Sequence, residues 1–247
     1  MIPKTKNPWS VAALLAWLDS TKKLRNALSI SVLNQSVSSS TSLVTMLYLV
    51  RVLTPSEFGF YSIGIALSLS YYGIGNALFL TQMVVHSPDK RPVERLNYAA
   101  RMLVLVGIFC AATVLVAGLV GYLGQFLWAA VGEHAWFALS ITAAAVSFLL
   151  KDFFARHFYN IRKESHALAV NVTMAICQAL LLLALHVLDY SFEAEVALAV
   201  YALSHGVAAI FGFMIARLPL REGLGAGLRG DLDEAWKIGR ASCRERV

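Results

Sequence analysis

The chain is poor in charge and in cysteine, and it has no recognisable catalytic or metal-binding spacing. Asp, Glu, Lys and Arg make up only 15% of its 247 residues, against about 25% in a soluble domain. Hydrophobic residues reach 58% and the mean hydropathy is +0.64. Together these exclude a soluble globular domain and a disordered chain, and they predict an integral membrane protein. Three Cys cannot build a disulfide framework, and Cys110 and Cys177 sit in apolar stretches where a thiol acts as a small hydrophobe. The six His residues show no H-E-x-x-H or paired-Cys spacing, so no zinc site is expected. There is no G-x-S-x-G elbow and no Walker loop. No catalytic residue, cofactor or metal is therefore assigned, and the chain is not expected to be an enzyme.

What the chain does have is long apolar runs. About 20 apolar residues in a helix cross a hydrocarbon core of roughly 30 Å. Six stretches qualify, at about 27–53, 58–85, 98–123, 135–150, 167–188 and 195–216. They are too long for barrel strands. The fourth is short and is expected to continue past Lys151 toward Tyr159. The predicted fold is an all-α six-helix transmembrane bundle. The joints agree. Thr54, Pro55 and Glu57 form the signature of a helix start with a capping box. Ser87, Pro88 and Pro92 break the chain between the second and third spans, and residues 189–193 separate the fifth and sixth. Residues 1–26 carry an apolar run at 8–18 with no small-x-small cleavage pattern. They read as an uncleaved segment lying in the headgroup plane in preference to a signal peptide.

The basic residues report orientation. Of 21 Lys and Arg, only Arg51 falls on the side opposite the termini. The positive-inside rule then places both ends of this chain in the cytoplasm. The surplus of positive charge records topology, and no nucleic-acid partner is needed to explain it. Residues 217–237 read as a cytoplasmic linker. Residues 238–247 look like the translation of a common short-read sequencing adapter, so Cys243 and its neighbours are set aside and the natural protein is expected to be longer.

Polar residues within the spans are the candidates for function, because an unpaired polar group in hydrocarbon is costly. The first span carries Ser29, Ser31, Asn34, Gln35, Ser36, Ser38, Ser39, Ser40, Thr41 and Ser42. One face of it is expected to line water or to bond a neighbouring helix. Asn34 and Gln35 are cavity candidates, with Asn76 and Gln82 in the second span and Asn171 and Gln178 in the fifth. The Gly73, Gly75, Asn76 segment suggests a kink or a close crossing. His205 is isolated and reads as a packed residue. No Asp or Glu is expected deep in a span, which argues against a carboxylate proton or cation relay. Arg51, Arg101, Lys151 and Arg156 are candidate contacts for phosphates if the transported group is anionic, Arg binding bidentately. Ordinary snorkelling and topology are the preferred account of each of them. Asp152 and Arg156 are spaced to pair at i,i+4. The Asp231-Leu232-Asp233 sequence matches the D-x-D pattern of some glycosyltransferases, yet it precedes Glu234 and Trp236 as a helix start would.

The polar first span followed by Arg51-Val52-Leu53-Thr54-Pro55-Ser56-Glu57-Phe58-Gly59-Phe60-Tyr61 resembles the opening of the polysaccharide biosynthesis proteins and O-antigen flippases. The segment from Lys151 to Asn160 resembles that family's aromatic–arginine segment after its fourth helix, and Asp231 to Gly239 its entry to the seventh. The resemblance covers about residues 28–237. It implies the multidrug/oligosaccharidyl-lipid/polysaccharide exporter fold, with two six-helix lobes facing a central cavity and this chain supplying the N-terminal lobe. It also implies translocation of undecaprenyl-diphosphate-linked oligosaccharide across the bacterial inner membrane by alternating access. The implied partners are the lipid-linked oligosaccharide, membrane lipids and glycan polymerases. Rival readings are a drug or peptidoglycan-precursor exporter of the same fold, a membrane-embedded glycosyltransferase or polymerase, and a non-catalytic membrane scaffold.

Overall fold

The computed structural model describes residues 11–88, 90–127, 135–190 and 192–219, and the side chains of these except 11–27, 121, 123–127 and 135. Residues 1–10, the Asp231-Leu232-Asp233 sequence, nearly all of the 217–237 linker and the 238–247 tail lie outside the described residues. The described chain is a series of helices: α1 (Val11–Val52), α2 (Pro55–His86), α3 (Pro92–Leu127), α4 (Ala135–Asn160), α5 (Glu164–Val187) and α6 (Ala194–Ala216). No strand occurs among the described residues. α2 through α6 are each long and apolar enough to cross a bilayer. α1 has the length, 42 residues, and its Ser, Thr, Asn and Gln lower its hydropathy. The protein is an all-α, multi-pass membrane bundle.

Local chemistry explains where the helices begin and bend. Thr54 adopts extended backbone and its Oγ1 accepts from Glu57 N at 3.3 Å, with Pro55 next to it at the first helical position. The capping box is completed differently from the sequence expectation. The Glu57 carboxylate accepts instead from Ala194 N at 2.7 Å, at the head of α6. Glu193 offers that helix no side-chain cap, so its orphan amide takes the acceptor that α2 supplies. α2 is continuous except for a π turn at Asn76–Leu80, which begins immediately after Gly75. A Cβ on Gly75 would lie 2.7 Å from a methyl of Leu149 on α4. The expected kink or crossing is both: a close helix approach, then a widened turn.

α4 is the hub. It packs most extensively against α6 and also against α2, α3 and α5, while α1 rests mainly on α5. Gly212 lets α6 approach α4, because a Cβ there would meet Phe154 Cβ at 2.7 Å. One buried cluster, including Leu80, Met83, Met102, Leu149, Phe153 and Val170, fills the half where α4 ends and α5 begins. A second, with Leu49, Leu53, Tyr61, Leu182 and Leu198, fills the opposite half. Large apolar side chains cover the outside as well: Leu115 and Val120 on α3 are 72% and 63% exposed. Such a surface is tolerated in hydrocarbon and not in water.

The helix ends sort by charge. Lys90, Arg91, Arg95, Arg162, Lys163 and Arg217 all lie at the end where α2, α4 and α6 finish. This is the basic end of the bundle. Arg51 lies at the other.

Candidate functional site

α4 does not stop at Lys151. It runs to Asn160, so Lys151 lies nine residues, or roughly 13 Å by helical rise, inside the basic end. Its side chain is only 4% exposed. Nζ donates to Asn171 Oδ1 on α5 at 3.1 Å and sits 5.1 Å from the Phe148 ring centre, a cation–π distance. Asn171 Nδ2 donates to Asn34 Oδ1 on α1 at 2.8 Å, and Asn34 Nδ2 donates to the Tyr159 hydroxyl at 2.7 Å. A polar chain therefore runs from α4 through α5 and α1 and back to α4. Among the described residues Asn171 Oδ1 is the one hydrogen-bond acceptor of an ammonium that carries three N–H groups.

A second cluster sits beside it on α4. The Tyr72 hydroxyl of α2 donates to Asp152 Oδ2 at 2.6 Å. Arg156 Nε donates to the same oxygen at 2.8 Å, and Arg156 Nη2 donates to the Tyr72 hydroxyl at 3.0 Å. The i,i+4 pairing read from the sequence is present. The expectation that no carboxylate lies deep in a span is corrected, because α4 continues unbroken past Asp152 and carries it eight residues inside the helix end. Two donors compensate its burial. The Arg156 and Asp152 side chains remain 30% and 20% exposed, so this triad reaches an open surface while Lys151 lies behind it.

The open surface lies between α1 and α2. The two helices are joined by a short turn and scarcely touch along their lengths. Ser31, Ser38, Ser42 and Leu49 recur at offsets of 7, 11 and 18 and share one flank of α1. Leu49 is buried in one cluster with Tyr61 of α2, Leu182 of α5 and Leu198 of α6, so this flank is sealed at that level. Nearer the basic end, Ser42 and the adjacent Gln35 and Ser39 are exposed. α4 bonds α1 through Tyr159 and α2 through Asp152 and Arg156. It therefore lies behind the gap. The result is a groove with serine and glutamine on one wall, Tyr72 on the other, and Asp152, Arg156 and Tyr159 at its base, with Lys151 buried behind them.

Not all candidates gather there. Asn34, Asn171, Lys151 and Arg156 do, and Gln35 lies on the exposed rim, its Nε2 donating to Ser39 Oγ at 3.3 Å. Gln178 is buried, with Nε2 donating to Thr45 Oγ1 at 2.8 Å, a bond that clamps α5 to α1. Asn76 belongs to the π turn and accepts from Thr81 Oγ1 at 3.5 Å. The Gln82 side chain pairs with His86 at 3.2 Å. Arg51 is exposed at the far end, and Arg101 is half-buried near the start of α3. His205 is 3% exposed and stacks on Tyr201 with ring centres 3.9 Å apart, as a packed residue does. Tyr72, Asp152 and Tyr159 belong to the site although sequence reasoning did not select them. The signals were the i,i+4 spacing of Asp152 with Arg156 and the aromatic–arginine segment.

A cavity of about 1070 Å³ lies elsewhere. It opens between α3, α4 and α6, and its lining, including Leu103, Gly107, Leu150 and Gly206, is apolar apart from two serines. With no charge and no convergent donors it offers no recognition chemistry. No family model, curated protein or solved structure matches this chain.

Proposed function

We propose that this chain forms one wall of a pathway for a lipid-linked oligosaccharide of the polyprenyl-diphosphate class, crossing the bacterial inner membrane with the basic end of the bundle in the cytoplasm. A second lobe beyond this chain would complete the enclosure. The observation that carries the reading is Lys151, an ammonium buried within a span with donors to spare. Holding such a charge in hydrocarbon is expensive, and a residue of this kind marks a ligand path more often than a fold support. An incoming diphosphate at the groove base would meet Arg156 as a planar fork, with Lys151 as a point charge directly behind it. The serine and amide rim of α1 would hydrogen-bond sugar hydroxyls. The lipid tail would remain outside, against the apolar exterior.

Asp152 supports a second reading, a cation-coupled exporter of a drug or a peptidoglycan precursor. A carboxylate within a span can exchange an arginine for a proton or metal cation. The two readings separate in one binding experiment. The purified chain in lipid nanodiscs is titrated with a farnesyl-diphosphate-linked N-acetylglucosamine and, separately, with a hydrophobic organic cation. The lipid-saccharide reading expects the diphosphate to bind and K151M to weaken it about tenfold or more, with K151R largely restoring it. Binding of the cation alone, or diphosphate binding indifferent to K151M, overturns it.

A further inference from the structure

A recess of about 420 Å³ opens at the basic end between the head of α5 and the tail of α6, lined by Lys163, His166, Phe211, Met214, Ile215 and Arg217. Its two halves differ in chemistry. Lys163 precedes α5, His166 lies in its first turn, and Arg217 directly follows α6, so the three basic side chains sit at the level where two membrane helices end. Phe211, Met214 and Ile215 lie within the last two turns of α6, on the hydrocarbon side of that level, and Met214 is 61% exposed. Among the described residues no hydrogen bond or ion pair engages the side chain of Lys163 or of Arg217. Glu164 is the acid closest in sequence, and it does not line the recess.

The backbone holds this arrangement at some cost. Arg217 is left-handed, with φ 46° and ψ 45°, at a helix C-terminus where glycine is the usual residue. Arginine there accepts a strained conformation and keeps a guanidinium beside the recess.

We propose that this recess binds an anionic glycerophospholipid. Its phosphate would sit among Lys163, His166 and Arg217, and its acyl chains would lie along Phe211, Met214 and Ile215. Charge complementarity and depth choose the occupant. A basic cluster at the headgroup level attracts anionic lipid, and the apolar wall directly beneath it suits a ligand that continues into hydrocarbon. A soluble anion would leave that wall unused. The recess shares no lining residue with the α1–α2 groove and its proposed ligand does not depend on what the groove carries.

Native mass spectrometry of the detergent-purified chain tests it, with phosphatidylglycerol and phosphatidylcholine of matched chain length as probes. Wild-type protein is expected to retain phosphatidylglycerol about tenfold better than phosphatidylcholine, near the value expected for one to two cationic contacts. The K163Q/R217Q double variant should lose that preference and keep its phosphatidylcholine binding. R91Q, which removes an exposed cation at the same end, should retain it. Equal retention of the two lipids by the wild-type chain overturns the proposal without recourse to any variant. Loss of the preference in R91Q as well would show a diffuse surface field. Full displacement by tail-less glycerophosphoglycerol would show a soluble-anion site. Either result also overturns it.

Discussion

Lys151 Nζ and Asn171 Oδ1 lie 3.1 Å apart in the interior of the bundle, on helices α4 and α5, twenty residues apart in the chain. The bond fixes an ammonium behind the base of the groove, and Asn171 is itself held by Asn34. Removing the amide and removing the charge should therefore have unequal consequences. N171L leaves a buried charge without its acceptor and is expected to destabilise the protein by about 2 kcal/mol. K151M removes the charge, leaves the Asn171 carbonyl oxygen unbonded, and should cost about 1 kcal/mol or less. Thermal unfolding of both variants in the same detergent checks the order. A larger loss in K151M than in N171L would show that the lysine is a fold support.

The Thr45–Gln178 bond should behave as packing alone. Q178L is expected to cost about 1 kcal/mol and to leave diphosphate-ligand binding unchanged, since Gln178 joins α5 to α1 away from the Lys151 chain. N34L should reduce both stability and binding. A double-mutant cycle between Thr45 and Gln178 measures the bond directly, and a coupling near zero would show it contributes nothing.

Three glycines should respond differently to alanine. At Gly212 the new methyl would meet Phe154 Cβ at 2.7 Å. That atom is close to the α4 backbone and cannot swing away, so G212A should lose about 1–3 kcal/mol. At Gly75 the obstacle is the far end of the Leu149 side chain, which can change rotamer, so G75A should lose less. At Gly73 nothing lies within 4 Å, and G73A should be neutral or gain up to about 1 kcal/mol from helix propensity. Melting temperatures that fail to follow this order would contradict the helix crossings described.

Glu57 caps a helix that begins 137 residues later. E57A should destabilise the head of α6 by about 1 kcal/mol, and E57Q, which keeps an acceptor, should lose less. Amide hydrogen exchange at Ala194 and the following residues reports this locally. Equal protection in wild type and E57A would count against the cap.

Water should reach the flank of α1 that carries Gln35, Ser38 and Ser42. In a background without Cys110, Cys177 and Cys243, Q35C and S42C are expected to react with a membrane-impermeant thiol reagent supplied at the basic end. L47C, on the apolar side of α1 and 55% exposed to what would be lipid, should not. If L47C reacts and the two polar-flank positions do not, the groove is not hydrated.

The sequence alone settles that this is an all-α membrane bundle, because runs of about 20 apolar residues separated by Pro- and charge-bearing turns have few other solutions. It also settles the helix start at Thr54–Pro55, which depends only on near neighbours, and the i,i+4 contact of Asp152 with Arg156. The reach of α4 beyond Lys151 was legible too. Its consequence was not, since whether a basic side chain snorkels to the headgroups or turns inward depends on the helices that flank it. Asn34 meets Asn171 across 137 residues, and Tyr72 meets Asp152 across 80. No periodicity in one segment encodes such a meeting. Gln35, one residue and about 100° of helix rotation from Asn34, reads alike in sequence and stands on the exposed rim. The tertiary structure alone decided which polar residues share a groove and which merely clamp helices. Burial and hydrogen-bond partnership are properties of the assembled bundle, whereas hydropathy and capping belong to the chain itself.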